Sequence, residues 1–171
     1  MGVQALENEE MTELPLRLKG KIFRSAMPFC VYDEKQTLFA QFQRNRISVV
    51  LVLAGRKECL ERTGIDLIDF YSEHGLQVLH LPIPDFGFPR KAAAKRVLQK
   101  VIRLANDGHN VVIHCFAGVG RTGTMAACLA GEVFGDSGEE AIRRVRTWIG
   151  DGSVETHEQK RFVIEYCEEE A

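Results

Sequence analysis

The chain has 171 residues, 45% of them hydrophobic and 27% charged, with a formal net charge of -2; this describes one globular domain with a real core and excludes a chain held open by its own charge. With 22 basic against 24 acidic residues there is no bulk attraction for nucleic acid, and no apolar run is long enough to cross a membrane. Five cysteines (Cys30, Cys59, Cys115, Cys128 and Cys167) with no C-x-x-C pair argue against a disulfide framework and a zinc site, and they suit a reducing cytoplasm.

From the N-terminus, residues 1–14 are acid-rich (Glu7, Glu9, Glu10, Glu13) with few apolar anchors and read as a flexible lead-in, leaving 15–171 as a single domain. There is no cationic flank or apolar core of an export signal, and Leu6 stands where a myristoylation signal beginning at Gly2 needs Ser or Thr. Leu38, Phe39 and Phe42 at helical spacing predict a helix over 34–45, followed by a buried strand over Val49 to Leu53. A helix is expected over 65–74 and a strand over 77–81, stopped where Pro82 and Pro84 would remove ladder donors. Ala94, Leu98, Val101, Ile102 and Ala105 form the stripe of an amphipathic helix over 91–105, ended by Asp107-Gly108. Val111 to Ile113 is a third buried strand, and helices follow over 121–134, 138–149 and 155–168. Continuous β-branched runs alternating with helices imply an α/β fold with a mainly parallel central sheet flanked by helices.

The most specific segment is His114-Cys115-Phe116-Ala117-Gly118-Val119-Gly120-Arg121-Thr122, placed between a strand and a helix. Five residues separate a thiol from a guanidinium, so the backbone N–H groups of 116–121 can curl round an anion at which the helix N-terminus also points. A free thiol of pKa about 8.5 is mostly protonated at neutral pH; these donors and the Arg121 charge favour the thiolate, and the Thr122 hydroxyl can donate to the sulfur. Arg121 offers a planar fork that grips two phosphoryl oxygens at once. Cys115 is thus the candidate nucleophile, Phe116, Ala117, Gly118, Val119, Gly120 and Arg121 the candidate phosphate-binding residues, and no cofactor or metal is called for. A general acid is also required. Asp85 in Leu81-Pro82-Ile83-Pro84-Asp85-Phe86-Gly87-Phe88-Pro89 is the candidate, on a loop stiffened by prolines with Gly87 as a hinge. His114 is expected to be structural, behind the loop.

With Asp85 thirty positions upstream of Cys115, these motifs resemble the cysteine-dependent protein tyrosine phosphatase superfamily, and within it the compact atypical dual-specificity phosphatases and their small bacterial and archaeal relatives. The resemblance runs from Ile22-Phe23-Arg24 to the last helix. It implies a phosphatase fold and a protein phosphatase, tyrosine or dual-specificity, that hydrolyses phosphomonoesters through a phosphocysteine intermediate. The segment Gly152-Ser153-Val154-Glu155-Thr156-His157-Glu158-Gln159 is similar to the one that opens the last helix in those small enzymes, which implies a water-positioning role for Gln159. The acid loop lacks the tryptophan of the larger tyrosine-specific enzymes, and no counterpart of their phosphotyrosine-gripping tyrosine loop is evident; both imply a shallower pocket open to phosphoserine and phosphothreonine. The loop interior also lacks the lysines of lipid-directed relatives, so a phosphorylated protein or peptide is the expected partner. The oligomeric state is left open.

Three rival readings stand beside this one. A non-catalytic phosphobinding module would not need Cys115, Thr122 and Asp85 together. A phosphoinositide, a nucleotide or an RNA end is an alternative substrate, for which Arg90, Lys91, Lys95 and Arg96 supply some positive charge. Gly118-x-Gly120-x-x-Gly123 also fits a dinucleotide fingerprint, but that requires a further strand after the helix, where the amphipathic pattern of Ile142, Val145 and Trp148 predicts a helix. Arg143, Arg144 and Arg146 read as a solvated helix face.

Overall fold

A computed structural model describes residues 10–168 of the chain. It is built on a five-stranded sheet in the order β1-β2-β5-β3-β4, comprising β1 (Thr12–Leu14), β2 (Ile22–Ser25), β3 (Ile47–Val52), β4 (Gln77–His80) and β5 (Asn110–His114). β2, β5, β3 and β4 are parallel, and β1 pairs antiparallel with β2 at one edge. The helices are α1 (Leu38–Arg44), α2 (Arg56–Thr63), α3 (Leu67–Glu73), α4 (Lys91–Asn106), α5 (Gly120–Phe134), α6 (Gly138–Trp148) and α7 (His157–Glu168).

Strand periodicity divides the core between the two faces of the sheet. Val49, Leu51, Val111 and Ile113 point to one side, where they pack with residues of α4 to α7. Val50, Val52 and Val112 point to the other, with residues of α1, α2 and α3. Both faces are covered, which is why these strands read as unbroken apolar runs rather than alternating ones. The expected α/β fold with a mainly parallel sheet is what the chain adopts.

Three elements do not follow from apolar pattern. β2 carries two buried polar residues, Arg24 and Ser25, which interrupt its hydrophobic run. α2 buries only Cys59, so it has no stripe to detect. Part of the stretch expected to be a loose lead-in is β1, with Leu14 buried; residues 1–9 of that expectation lie outside the described residues. α1 begins at Leu38 rather than near 34, because Gln36 sits at φ 54, in the left-handed region that a right-handed helix cannot include. The carboxylate of Asp33 organises that turn by accepting from Phe29, Thr37 and Leu38 N–H groups at 2.8, 2.9 and 3.2 Å.

This topology places the ends of β5, β3 and β4 at one edge of the sheet. The turn after β5 runs directly into α5, and the loop after β4 arches beside it. In an open parallel sheet this carboxyl edge is where connecting loops build a site.

Candidate active site

β5 ends at His114, and Cys115 begins the turn that leads into α5 at Gly120. His114 is fully buried. Its Nδ1 lies 3.0 Å from the Cys115 carbonyl and its Nε2 2.7 Å from the Tyr71 hydroxyl. A carbonyl only accepts, so Nδ1 carries the proton and Nε2 accepts from Tyr71. Burial pulls the imidazole pKa down to about 4; the bond to the Cys115 carbonyl opposes this and the Arg121 charge adds to it. Neutral His114 is therefore a fixed support beneath the turn, as expected.

The carbonyls of the turn are gripped from the side facing away from the cleft. Phe116 C=O accepts from Met27 N–H at 2.9 Å. Arg24, only 2% exposed, donates Nε and Nη2 to Gly118 C=O at 3.0 and 2.8 Å and Nη2 to Ala117 C=O at 3.3 Å. A planar trans peptide sets the next N–H opposite to each carbonyl, so these bonds turn the N–H groups of Ala117, Gly118 and Val119 toward the cleft. Gly118 is at φ 77, and a Cβ there would fall 2.2 Å from Ser25 C=O, so only glycine lets the turn lie this close to β2. Burial lowers the Arg24 pKa, and the charge of Cys115 opposes the drop.

Cys115 is 3% exposed at the base of the cleft, and Thr122 Oγ1 donates to its Sγ at 3.1 Å. Arg121, in the first turn of α5, is 2% exposed. Its Nη1 and Nη2 donate to Glu58 Oε2 and Oε1 at 2.9 and 3.1 Å, and Nη1 also donates to Ile83 C=O at 3.0 Å. Burial works against the cation, but the Glu58 hydrogen bond and the charges of Cys115, Glu58 and Asp85 outweigh it and raise its pKa. Two hydrogen bonds donated to one carboxylate fix the plane of the guanidinium.

Asp85 arrives from the loop after β4. Its Oδ1 lies 3.4 Å from Arg121 Nη2 and accepts from Phe86 N–H at 3.0 Å. It lines the same cleft of about 430 Å³ as Cys115, Phe116, Ala117, Val119, Gly120 and Arg121. Gly118 contributes through its backbone and is not among the cleft's lining residues. Gln159 lies 3.8 Å from where a Cβ on Gly120 would stand, so it borders the turn, but its amide is bonded elsewhere. Its Oε1 accepts from Glu155 and Thr156 N–H groups and its Nε2 donates to Gly87 C=O.

Sequence reasoning missed several members of this cleft. Tyr32, Arg62 and Glu155 line it, with Tyr32 edge-on to Phe116 at 5.0 Å and the Arg62 guanidinium 4.1 Å above the Phe116 ring. Arg24 and Glu58 were missed as well. Arg24 carried one signal, an arginine inside a short strand beside Phe23, which had to be paired or functional. Glu58 carried none, since a glutamate on a polar helix looks like a solvated face. Arg144 pairs with Asp136 at 2.6 Å, and Arg146 departs from the solvated face expected of it by donating to the Ser153 and Val154 carbonyls at 3.1 and 3.2 Å. The dinucleotide alternative fails on topology, because α5 is followed by α6 and α7 rather than a strand.

Residues 30–132, more than half of the chain, match the family described as polymorphic toxin system, DSP-PTPase phosphatase. The chain is similar to cyclin-dependent kinase inhibitor 3 of Rattus norvegicus, with 27% identity over 82% of this chain and 69% of that protein. Against the Sus scrofa protein of the same name it is 30% identical over 70% of this chain, and the match spans only 57% of the relative. Among solved structures, Tk-PTP in the active form is 30% identical, with TM-score 0.75 and coverage of 92% of this chain and 97% of the other. A kinase associated phosphatase carrying serine in place of its catalytic-site cysteine shares the fold at TM-score 0.83 and 24% identity, over 94% of each chain. The chain thus belongs to this DSP-PTPase family, in the atypical dual-specificity branch of the cysteine-dependent protein tyrosine phosphatase superfamily.

Proposed function

We propose that the protein dephosphorylates phosphorylated proteins or peptides, on tyrosine or with dual specificity, through a phosphocysteine intermediate. The observation that carries this reading is the convergence of Cys115, Arg121 and Asp85 on one cleft, with Thr122 bonded to the sulfur. Cys115 Sγ attacks phosphorus while the bond to the ester oxygen breaks, and Asp85 gives its proton to that oxygen. The turn N–H groups and the Arg121 fork hold the equatorial oxygens as charge spreads over them. Asp85, now ionised, then takes a proton from the water that attacks phosphorus; the S–P bond breaks, and phosphate leaves a regenerated thiolate. The Thr122 hydroxyl supports the sulfur in its anionic form at both ends of the cycle.

The composition of the mouth supports a protein substrate. Beside the Cys115 thiol and the Tyr32 phenol, its basic and acidic side chains are Arg62 and Arg121 against Asp85 and Glu155, with no lysine among the lining residues, a balance unsuited to polyphosphorylated ligands. Tyr32, Phe86 and Phe116 add aromatic walls, which suit the ring of a phosphotyrosine. A panel of phosphopeptides, phosphoinositides and nucleotides tests the reading: phosphopeptides, phosphotyrosine ones foremost, are expected to give the highest kcat/KM. Faster turnover of a phosphoinositide or nucleotide overturns the protein assignment, and binding of phosphopeptides without phosphate release makes the site a binding module.

A further inference from the structure

The turn that carries Asp85 does not hold itself in place. Gly87 N–H donates to Pro84 C=O at 2.8 Å, closing a tight turn with Asp85 and Phe86 at its corners. Phe86 sits at φ 64, a left-handed conformation that costs a bulky residue on the order of 1 kcal/mol or more. Phe86 is 58% exposed, so burial does not compensate for that strain.

What meets the turn is the start of α7, at three consecutive residues. Thr156 Oγ1 donates to Phe86 C=O at 3.2 Å. Gln159 Nε2 donates to Gly87 C=O at 3.0 Å. The Phe88 ring stacks on Phe162 at 5.4 Å. Gln159 is fully buried, and its Oε1 is taken by the Glu155 and Thr156 N–H groups at 2.8 and 3.1 Å. Thr156 Oγ1 in turn accepts from Gln159 N–H at 3.1 Å. The two side chains lock each other and then lock the turn.

We propose that Thr156 and Gln159 are positioning residues that latch the Asp85 turn over the cleft, so that the start of α7 sets how often the general acid is in place. The inference rests on Asp85 being that acid. One Gln159 Nε2 N–H and its Oε1 are engaged in this latch.

The test is the dependence of kcat/KM on leaving-group pKa across aryl and alkyl phosphates, with Asp85→Ala as the reference for a lost acid. Thr156→Asp keeps an oxygen to cap α7 but has no hydroxyl proton for Phe86 C=O; Gln159→Glu keeps the acceptor for the capping N–H groups but loses the donor to Gly87 C=O. Each is expected to lower kcat/KM about tenfold for poor leaving groups and less than about twofold for p-nitrophenyl phosphate, while Thr156→Ser retains the wild-type slope. Should either variant fail to fold, Phe88→Ala removes the exposed stack and is expected to steepen the slope a few-fold in the same direction. Folded variants with a wild-type slope, or with equal losses across all leaving groups, overturn the latch. An Asp85→Ala slope equal to wild type instead overturns the acid assignment on which it rests.

Discussion

Two loops meet over one cleft and are built on opposite terms. The turn from Cys115 to Thr122 is largely buried and fixed several times over: Arg24 and Met27 hold its carbonyls, His114 holds its first residue, and Glu58 sets the plane of its arginine. The Asp85 loop is exposed at Asp85, Phe86 and Phe88, carries a strained residue, and is held by Arg121 and the start of α7. The comparison teaches a division of labour. In the proposed mechanism the group that meets charge in the transition state is preorganised at a cost in buried polar groups, whereas the group that admits a substrate and then covers it is held by a few breakable bonds.

The contrast breaks most completely at the nucleophile. Cys115→Ser is expected to lower hydrolysis of p-nitrophenyl phosphate on the order of 10⁴-fold or more, while the wild type keeps its activity in EDTA; an active serine variant or a metal requirement removes the thiolate mechanism. Next in size is the backbone of the fixed turn. Gly118→Ala forces a Cβ against Ser25 C=O and is expected to cost about 10³-fold in kcat/KM by displacing the N–H donors, read beside a melting curve showing that the domain still folds. Unchanged kinetics in that variant would mean that the turn is not preorganised.

The support beneath the turn predicts a pH effect on stability. His114 is held near 4 in the folded chain against about 6.5 when unfolded. Above pH 6.5 both states are neutral and the group contributes no slope. Between 6.5 and 4 the unfolded state binds the proton first, so stability falls with pH by up to about 3 kcal/mol. Denaturant unfolding at several pH values should show a shallower loss in His114→Gln; parallel curves for the two proteins would place the acid sensitivity elsewhere. The smallest effect belongs to the exposed loop. Asp85→Ala is expected to cost about 10²-fold on poor leaving groups and far less on good ones, measured across the same phosphate series.

The parts of the fold legible in the sequence were those written in apolar periodicity. β3, β5 and α4 declare themselves because Val49 to Leu53, Val111 to Ile113 and the Ala94-Leu98-Val101-Ala105 stripe each satisfy one buried face. β2 and α2 escaped because their contribution is polar: Arg24 and Glu58 are placed to hold other side chains and backbone. The site shows the same split. Cys115, Arg121, Thr122 and Asp85 could be named because their chemistry is local to short motifs, and the structure brings all four together. Two of their supports, Glu58 on Arg121 and Arg24 on Gly118, come from 63 and 94 positions away along the chain, and no local pattern encodes such pairings.

The grip of Arg24 on Ala117 and Gly118 also fixes when the molecule becomes competent. Those partners are 93 and 94 residues apart, so the turn can take its working shape only after the early strand has docked beside β5, a contact of high sequence separation and slow closure. Thr156 and Gln159 add a requirement that α7 be in place. Refolding followed by phosphate release from a poor leaving group should therefore lag refolding followed by helix content, because the last contacts to form are the ones that set the turn and hold the Asp85 loop.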